Sequence, residues 1–217
     1  MRLFARDPAV IEELVQEVFV DPEKVQNVTR SAVVTNNYFR IPPGDDNYCS
    51  SEKVKVEHDT LISNMTPHMH TRGKSLRYEV TYPDGKNEIL LDVPAYDFDW
   101  QTTYELKEPK LLPKGSELVC TAHWNNSANN LSNPDPTKTV TWGSQTFEEM
   151  MIGFYFEVFP KDHVPERTSA GRRLDPEKIF KALDINGDGK VTKDELPSQL
   201  ASRFEIVDAN RDGVVTK

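Results

Sequence analysis

The chain has 217 residues, enough for one large or two small domains, and 26 basic against 35 acidic side chains leave a formal charge of -9. That balance argues against a nucleic-acid binder, whose polyanionic partner needs a clustered Lys/Arg footprint that Arg72/Lys74/Arg77 and Arg172/Arg173 do not supply. No apolar run approaches the roughly 20 residues of a membrane span, and two cysteines, Cys49 and Cys120, allow neither a disulfide scaffold nor a four-thiolate zinc site.

The N-terminal stretch MRLFARDPAVIEELVQEVF lacks the unbroken apolar run and the small-residue cleavage site of a secretory signal, so no signal peptide is read in this chain. Asp7 as N-cap, Pro8 at the first helical position, and Ile11, Leu14, Val15, Val18 and Phe19 at helical spacing predict an amphipathic helix over residues 7–19. A second start signal follows at Asp21-Pro22. From about residue 38 to 160 the texture changes to short β-prone runs separated by Pro, Gly, Asn and Asp, the pattern of a sandwich or barrel. Strands are expected over 61–65, 117–123 and 149–159, and a hairpin over 76–82 and 88–93 around Pro83-Asp84-Gly85. Residues 125–136, with their NPDP run, read as a polar loop. After Pro160 a Pro/Arg/Ser/Gly segment reads as a linker. Beyond it the helical period returns, with Ile179, Phe180 and Leu183 on one face and a second helical stretch near 196–207.

The tail carries the most specific motif. Residues 184–195, DINGDGKVTKDE, place Asp184, Asn186 and Asp188 at positions 1, 3 and 5 of a calcium loop. Gly189 stands at the sharp turn, the Lys190 carbonyl at position 7, and Glu195 at position 12 as the bidentate carboxylate. Hard oxygen ligands in this number favour Ca²⁺ over a transition metal. Asp208, Asn210, Asp212 and Gly213 begin a second copy, with the Val214 carbonyl at its position 7, and Lys217 stands two residues short of its closing carboxylate. The expectation is a truncated or degenerate second loop, the alternative in both cases being a polar Asp/Gly turn.

A second constellation lies in the β region. In a strand side chains alternate, so His68 and His70 project to one face and Met69 to the other. Two imidazoles on one face are half of a metal site, or a pair of edge-strand histidines beside a proline. Met150 opens the run EEMMIGFYFEVF, in which Ile152, Phe154, Phe156 and Val158 share its face, and by pattern alone it is a core residue. A soft thioether joined to two imidazoles is nevertheless a ligand set suited to Cu(I).

FRIPPGDDN (39–47), PHMHTRGKS (67–75), YPDGKNEILLDVPAYDFDWQ (82–101), LPKGSELVCTAHWNNSANN (112–130), NPDP (133–136) and WGSQTFEEMM (142–151) together resemble the C-terminal domain of copper type II, ascorbate-dependent monooxygenases, in particular bacterial members of the group. The resemblance spans about residues 37–160. It implies a mostly β, jelly-roll-like β-sandwich in which His68, His70 and Met150 bind the copper that activates O₂, with ascorbate as external reductant and an aliphatic C–H of a small organic molecule as target. His123, in the TAHWNNS element, is either a third imidazole near the metal or a hydrogen-bonded structural histidine. His58 and His163 are assigned no role.

Departures from the family narrow the expectation. Thr66, Ile152 and Phe154 stand where peptide-amidating members have an Arg, an Asn and a Tyr that hold the peptide, so amidation is disfavoured. Met151 replaces a bridged Cys, which leaves Cys120 expected as a free buried thiol, a bridge to Cys49 being the alternative. The electron-transferring copper domain of the family has no counterpart here and is expected upstream in a longer, extracytoplasmic parent protein. The organisation expected is a helical and linker segment over 1–36, the sandwich over 37–160, a linker over 161–173 and a calcium-binding helical tail over 174–217. The competing function is a non-catalytic extracytoplasmic binding module with a structural calcium site. A cytosolic calcium sensor would need a Met-rich groove, and the tail contains no methionine.

Overall fold

In the computed structural model, which describes residues 23–166, 176–196 and 201–216, the chain is mostly β. In chain order the strands are β1 (Asn27–Thr35), β2 (Arg40–Ile41), β3 (Tyr48–Lys55), β4 (Thr60–His68), β5 (Gly73–Thr81), β6 (Asn87–Val93), β7 (Tyr104–Leu112), β8 (Glu117–Trp124), β9 (Val140–Thr141) and β10 (Ile152–Pro160). The tail holds α1 (Pro176–Leu183), β11 (Lys190–Thr192), a 3-10 turn (Lys193–Glu195), α2 (Phe204–Val207) and β12 (Val214–Thr216).

Period-two alternation explains how the strands pack. In β8, Leu118, Cys120, Ala122 and Trp124 are buried while the residues between them are half-exposed. Strands β1-β10-β4-β7 form one four-stranded sheet and β3-β8-β5-β6 another, and inward side chains of both meet in one core. That core joins Val34 and Met65 of the first sheet to Leu76, Tyr78, Leu118 and Cys120 of the second. A two-stranded ribbon, β2-β9, closes one end. The sheets come closest at Gly153, where an added Cβ would run into the Cys120 sulfur and the Tyr78 ring.

The expected hairpin is present as β5 and β6. Gly85 adopts φ +85° at its turn, and the Tyr82 N–H donates to the Lys86 carbonyl at 2.8 Å. The expected strands near 61–65 and 117–123 are β4 and β8, and residues 125–136 form no regular element. Two expectations are corrected. Residues 27–35 lie within the segment read as helix and linker, yet they pair with β10 along their whole length, because Val28, Arg30, Ala32 and Val34 alternate inward. The last long strand begins at Ile152 rather than 149, because Glu149 is drawn into a buried polar network. The helix expected over 7–19 and the Asp21-Pro22 start lie outside the described residues, as do 167–175 of the linker and 197–200 of the second helical stretch. Among the described residues no helix is long and apolar enough to cross a membrane.

Candidate metal centres

β4 and β10 run antiparallel with Ile152 opposite His68. The ladder ends at that pair, and His70 and Met150 lie just beyond it, where the Glu149 carboxylate accepts from the N–H groups of both. Met65, Pro67 and Met69 are buried; His68 is half-buried and His70 is buried at 5% exposure. Their rings stand 5.4 Å apart, centroid to centroid, at 87°. Phe154 lies 6.4 Å from the His68 ring and Phe98 5.9 Å from the His70 ring.

The hydrogen bonds of the two imidazoles fix their tautomers. His70 Nδ1 lies 3.1 Å from the Glu148 carbonyl oxygen, which can only accept, so Nδ1 carries the proton and Nε2 keeps its lone pair. His68 Nδ1 lies 2.5 Å from Gln101 Oε1, and Gln101 Nε2 donates to the Phe98 carbonyl at 2.9 Å, which fixes the amide orientation. His68 Nδ1 is therefore also the donor. Burial lowers the His70 pKa, with neighbouring His68 acting in the same direction, so His70 is held neutral. Two adjacent imidazoles, each steered by an acceptor on Nδ1, have the orientation that a metal ligand pair requires of its other ring nitrogen.

Beneath them lies a residue that the sequence reading passed over. Glu149 is fully buried, and its carboxylate accepts from the His70 N–H at 2.8 Å, the Arg72 N–H at 2.7 Å, Trp124 Nε1–H at 3.1 Å and the Met150 N–H at 3.3 Å. One side chain thus ties the H-x-H turn to β8 and to the Met150 segment. Burial pushes its carboxyl up to about 7, although the four donors and the Arg72 guanidinium favour the ionised form. Arg72, itself buried, donates to Asn126 Oδ1 at 2.9 Å and to the Phe147 carbonyl at 2.9 Å. A pair of acids in an otherwise apolar run, Glu148-Glu149 before MMIGF, was the available signal.

The structure separates other candidates. His123 lies on the outward face of β8 in the second sheet, with Ser75 Oγ 3.1 Å from its Nδ1, whereas His68 and His70 belong to the first sheet. Met150 precedes β10 and is half-buried, and its face is not the core face: Met151 and Gly153 are buried, while Ile152, Phe154 and Phe156 are half-exposed. Cys49 and Cys120 are both free. Cys49 is exposed and opposite His123, whereas Cys120 is buried and opposite Glu52. Burial raises the Cys120 thiol well above its ordinary pKa.

The tail presents oxygen ligands only. Gly189 takes φ +79°, and the Asp188 and Gly189 N–H groups donate to the two Asp184 oxygens at 3.1 and 3.0 Å. Thr192 and Glu195 form a reciprocal capping box in which the Glu195 carboxylate accepts from the Thr192 N–H at 2.8 Å. The same carboxylate accepts from the Ile185 and Asn186 N–H groups at 3.0 and 3.3 Å. In the second copy Asp208 is buried. Its Oδ2 accepts from the Gly213 N–H at 2.9 Å while Oδ1 has no hydrogen-bond partner. Val191 of β11 pairs with Val215 of β12 and joins the two loops back to back. The carboxylates are each drawn to backbone N–H groups, and among the described residues no three His, Cys, Asp or Glu side chains converge on one point. The all-oxygen donor set and the orphaned Asp208 Oδ1 fit a hard divalent cation.

The comparisons bear on the tail. The family model of the EF hand matches residues 177–197 and 200–217. The tail carries EF-hand calcium-binding sequence. No curated protein matches the chain. Among solved structures, the VP2 subviral particle of infectious bursal disease virus is similar at 12% identity, over 64% of this chain and 36% of that one, with a TM-score of 0.30. The Gt strain of the same virus matches at 11% identity over 87% of this chain and 56% of its own, also at 0.30. The chain spans about a third to just over half of these capsid chains, and likeness at this level carries no argument about function.

Proposed function

We propose that the sandwich is the O₂-activating copper half of an ascorbate-dependent monooxygenase that hydroxylates an aliphatic C–H of a small organic substrate, with a calcium-stabilised EF-hand tail. The observation that carries this reading is the pair of imidazoles whose rings stand 5.4 Å apart, each with Nδ1 beside an acceptor oxygen. The residues fit the metal: His68 and His70 would hold copper through Nε2, and the thioether of Met150, whose N–H shares the Glu149 carboxylate with that of His70, would favour its reduced state. When bound, copper supplies the one-electron chemistry that O₂ activation requires. The chain's own residues orient and shield. Gln101 and the Glu148 carbonyl steer the imidazoles, Glu149 fixes the backbone that carries His70 and Met150, and Phe98 and Phe154 give the site apolar neighbours. Thr66, Ile152 and Phe154 offer a substrate carboxylate no cationic partner.

The strand order supports the jelly-roll expectation. Leaving aside the short β2 and β9, every step along the chain from β1 to β10 crosses between the sheets except the β5-β6 hairpin, as in two interlocked Greek keys. The reading places the chain in an extracytoplasmic parent whose upstream copper domain passes electrons from ascorbate. The competing reading, a non-catalytic extracytoplasmic binding module, draws on two observations. Only two imidazoles meet at the site, and the cavity at His123, about 200 Å³ and bounded by Ser75, Arg77 and Asp92, lies on the other sheet.

Metal titration under reducing conditions separates the two. One Cu(I) per wild-type chain, lost in His68→Ala/His70→Ala with the fold retained by circular dichroism, is the expected result. A wild-type chain that takes up no Cu(I) sinks the enzyme reading in favour of the module.

A further inference from the structure

We propose that calcium binding in the loop at 184–195 is coupled to the His68/His70 site through Arg40. The regulatory link rests on the copper reading for its functional meaning but not for its physical test. Arg40 is half-buried on the β2-β9 ribbon, and its Nη2 donates to the carbonyl oxygen of Glu195 at 3.2 Å. Glu195 closes the calcium loop, so this bond joins the tail to the sandwich at a residue of the ion site. The Arg40 Nε is buried without a hydrogen-bond partner, which makes the Glu195 carbonyl an important anchor for this guanidinium.

From Arg40 two routes reach Glu149. Along the backbone, Arg40 pairs with Thr141 of β9, and the Thr141 carbonyl accepts from the Glu149 N–H at 3.1 Å. Through side chains, the Arg40 N–H donates to Tyr48 Oη at 3.3 Å, the Tyr48 ring lies 5.9 Å from that of Trp124, and Trp124 Nε1–H donates to the Glu149 carboxylate. Glu149 in turn holds the His70 and Met150 N–H groups. Every link is a direct contact or a ring pair in the packed end of the sandwich, so a loop stiffened by calcium holds Arg40 and, through it, the carboxylate under the imidazoles.

The sign follows from ordering. Calcium fixes the Glu195 backbone and raises the occupancy of the Arg40 bond, so both sites tighten together. Calcium raises the occupancy of a bond that already forms without it, so only part of its strength appears as coupling, about fivefold to tenfold, and linkage requires the same factor in each direction.

The experiment uses the full chain, with hydrogen exchange of the Trp124 indole N–H and the His70 amide followed by NMR, and Gly189 reporting loop occupancy. Saturating calcium is expected to slow Trp124 exchange about fivefold to tenfold in the wild type and to leave it unchanged in Arg40→Met, in which Gly189 still titrates. Arg40→Lys, which keeps the charge but loses the forked reach, should recover less than half of the effect. Where Cu(I) binds, calcium should raise its affinity by the same factor, and Cu(I) should raise that of calcium. Failure of copper to bind defeats the enzyme reading and leaves the exchange test standing. Calcium that occupies the loop without altering Trp124 exchange, or no calcium binding at all, overturns the coupling.

Discussion

Glu149 and Glu195 make one chemical arrangement in two regions with opposite results. Each carboxylate replaces water with backbone N–H donors: three for Glu149, together with the Trp124 indole, and three for Glu195. Yet burial drives the Glu149 carboxyl up to about 7, while the Thr192 N–H and its companions hold Glu195 below the ordinary carboxylate range. Glu149 lies at the closed end of the sandwich with no exposure, under Trp124 and Arg72. Glu195 is also buried, at 7% exposure, but in a small tail whose loop residues 185–190 are exposed, so that less protein surrounds it. Donors lower a carboxylate pKa when solvent is near, and depth overrides them when it is not. The second difference is reach: one Glu149 donor lies 79 residues away in the chain, whereas the Ile185 donor to Glu195 is ten residues away.

The contrast predicts unequal costs. Glu149→Gln keeps the volume but turns an NH₂ group toward one set of donors, and about 3 kcal/mol of stability should be lost. Urea unfolding would measure it, and a loss below about 1 kcal/mol would break the claim that this carboxylate holds the histidine end together. The two ends should also respond to pH in opposite senses. Glu149, with its folded pKa raised from 4.5 to about 7, contributes stability that is complete below pH 4.5 and lost as pH rises through 7. The wild type should therefore fall by up to about 3 kcal/mol relative to Glu149→Gln over that window. Glu195, with its pKa lowered, stabilises the tail above its unfolded pKa and ceases to do so as acid protonates it. Amide exchange read separately at His70 and Thr192 would show both trends, and parallel trends would contradict the depth argument.

Next in size is the ion. At a hundredfold excess over its dissociation constant, calcium should add about 2.7 kcal/mol to the tail. Glu195→Gln should abolish that gain while changing the calcium-free protein by about 1 kcal/mol or less. Thermal unfolding with and without calcium checks the pair of values, and a full gain in the variant would remove Glu195 from the ligand set.

Reach also explains what was legible in the sequence. The calcium loop is written in twelve consecutive residues, so its ligands, its turn glycine and its capping Glu195 were all readable by spacing. His68 and His70 were readable as a same-face pair for the same reason. Glu149 was not, because its partners Trp124 and Arg72 become neighbours only after the sheets have formed. β1 was missed because Arg30 interrupts the apolar alternation of its inward face, where it is tolerated by its 2.8 Å bond to Glu157. His123 was left between two roles because strand alternation tells which side of a sheet a residue takes, not which of two sheets it belongs to.

The smallest effect sharpens the comparison most. His68 is half-exposed and its bond to Gln101 faces solvent, so His68→Ala should cost about 0.5–1 kcal/mol, a fraction of the loss expected for Glu149→Gln. Asn186→Ala in the exposed calcium loop should be equally mild. The ligands at both ends would then be thermodynamically cheap, with stability residing in the residues that orient them, as expected where a site gives up packing for access to solvent and ion. A denaturant midpoint for His68→Ala lowered by no more than that loss, beside a Cu(I) affinity lowered at least a hundredfold, would establish that division. A His68→Ala loss as large as that of Glu149→Gln would instead make the imidazole part of the frame and leave Glu149 as one member of a shared network.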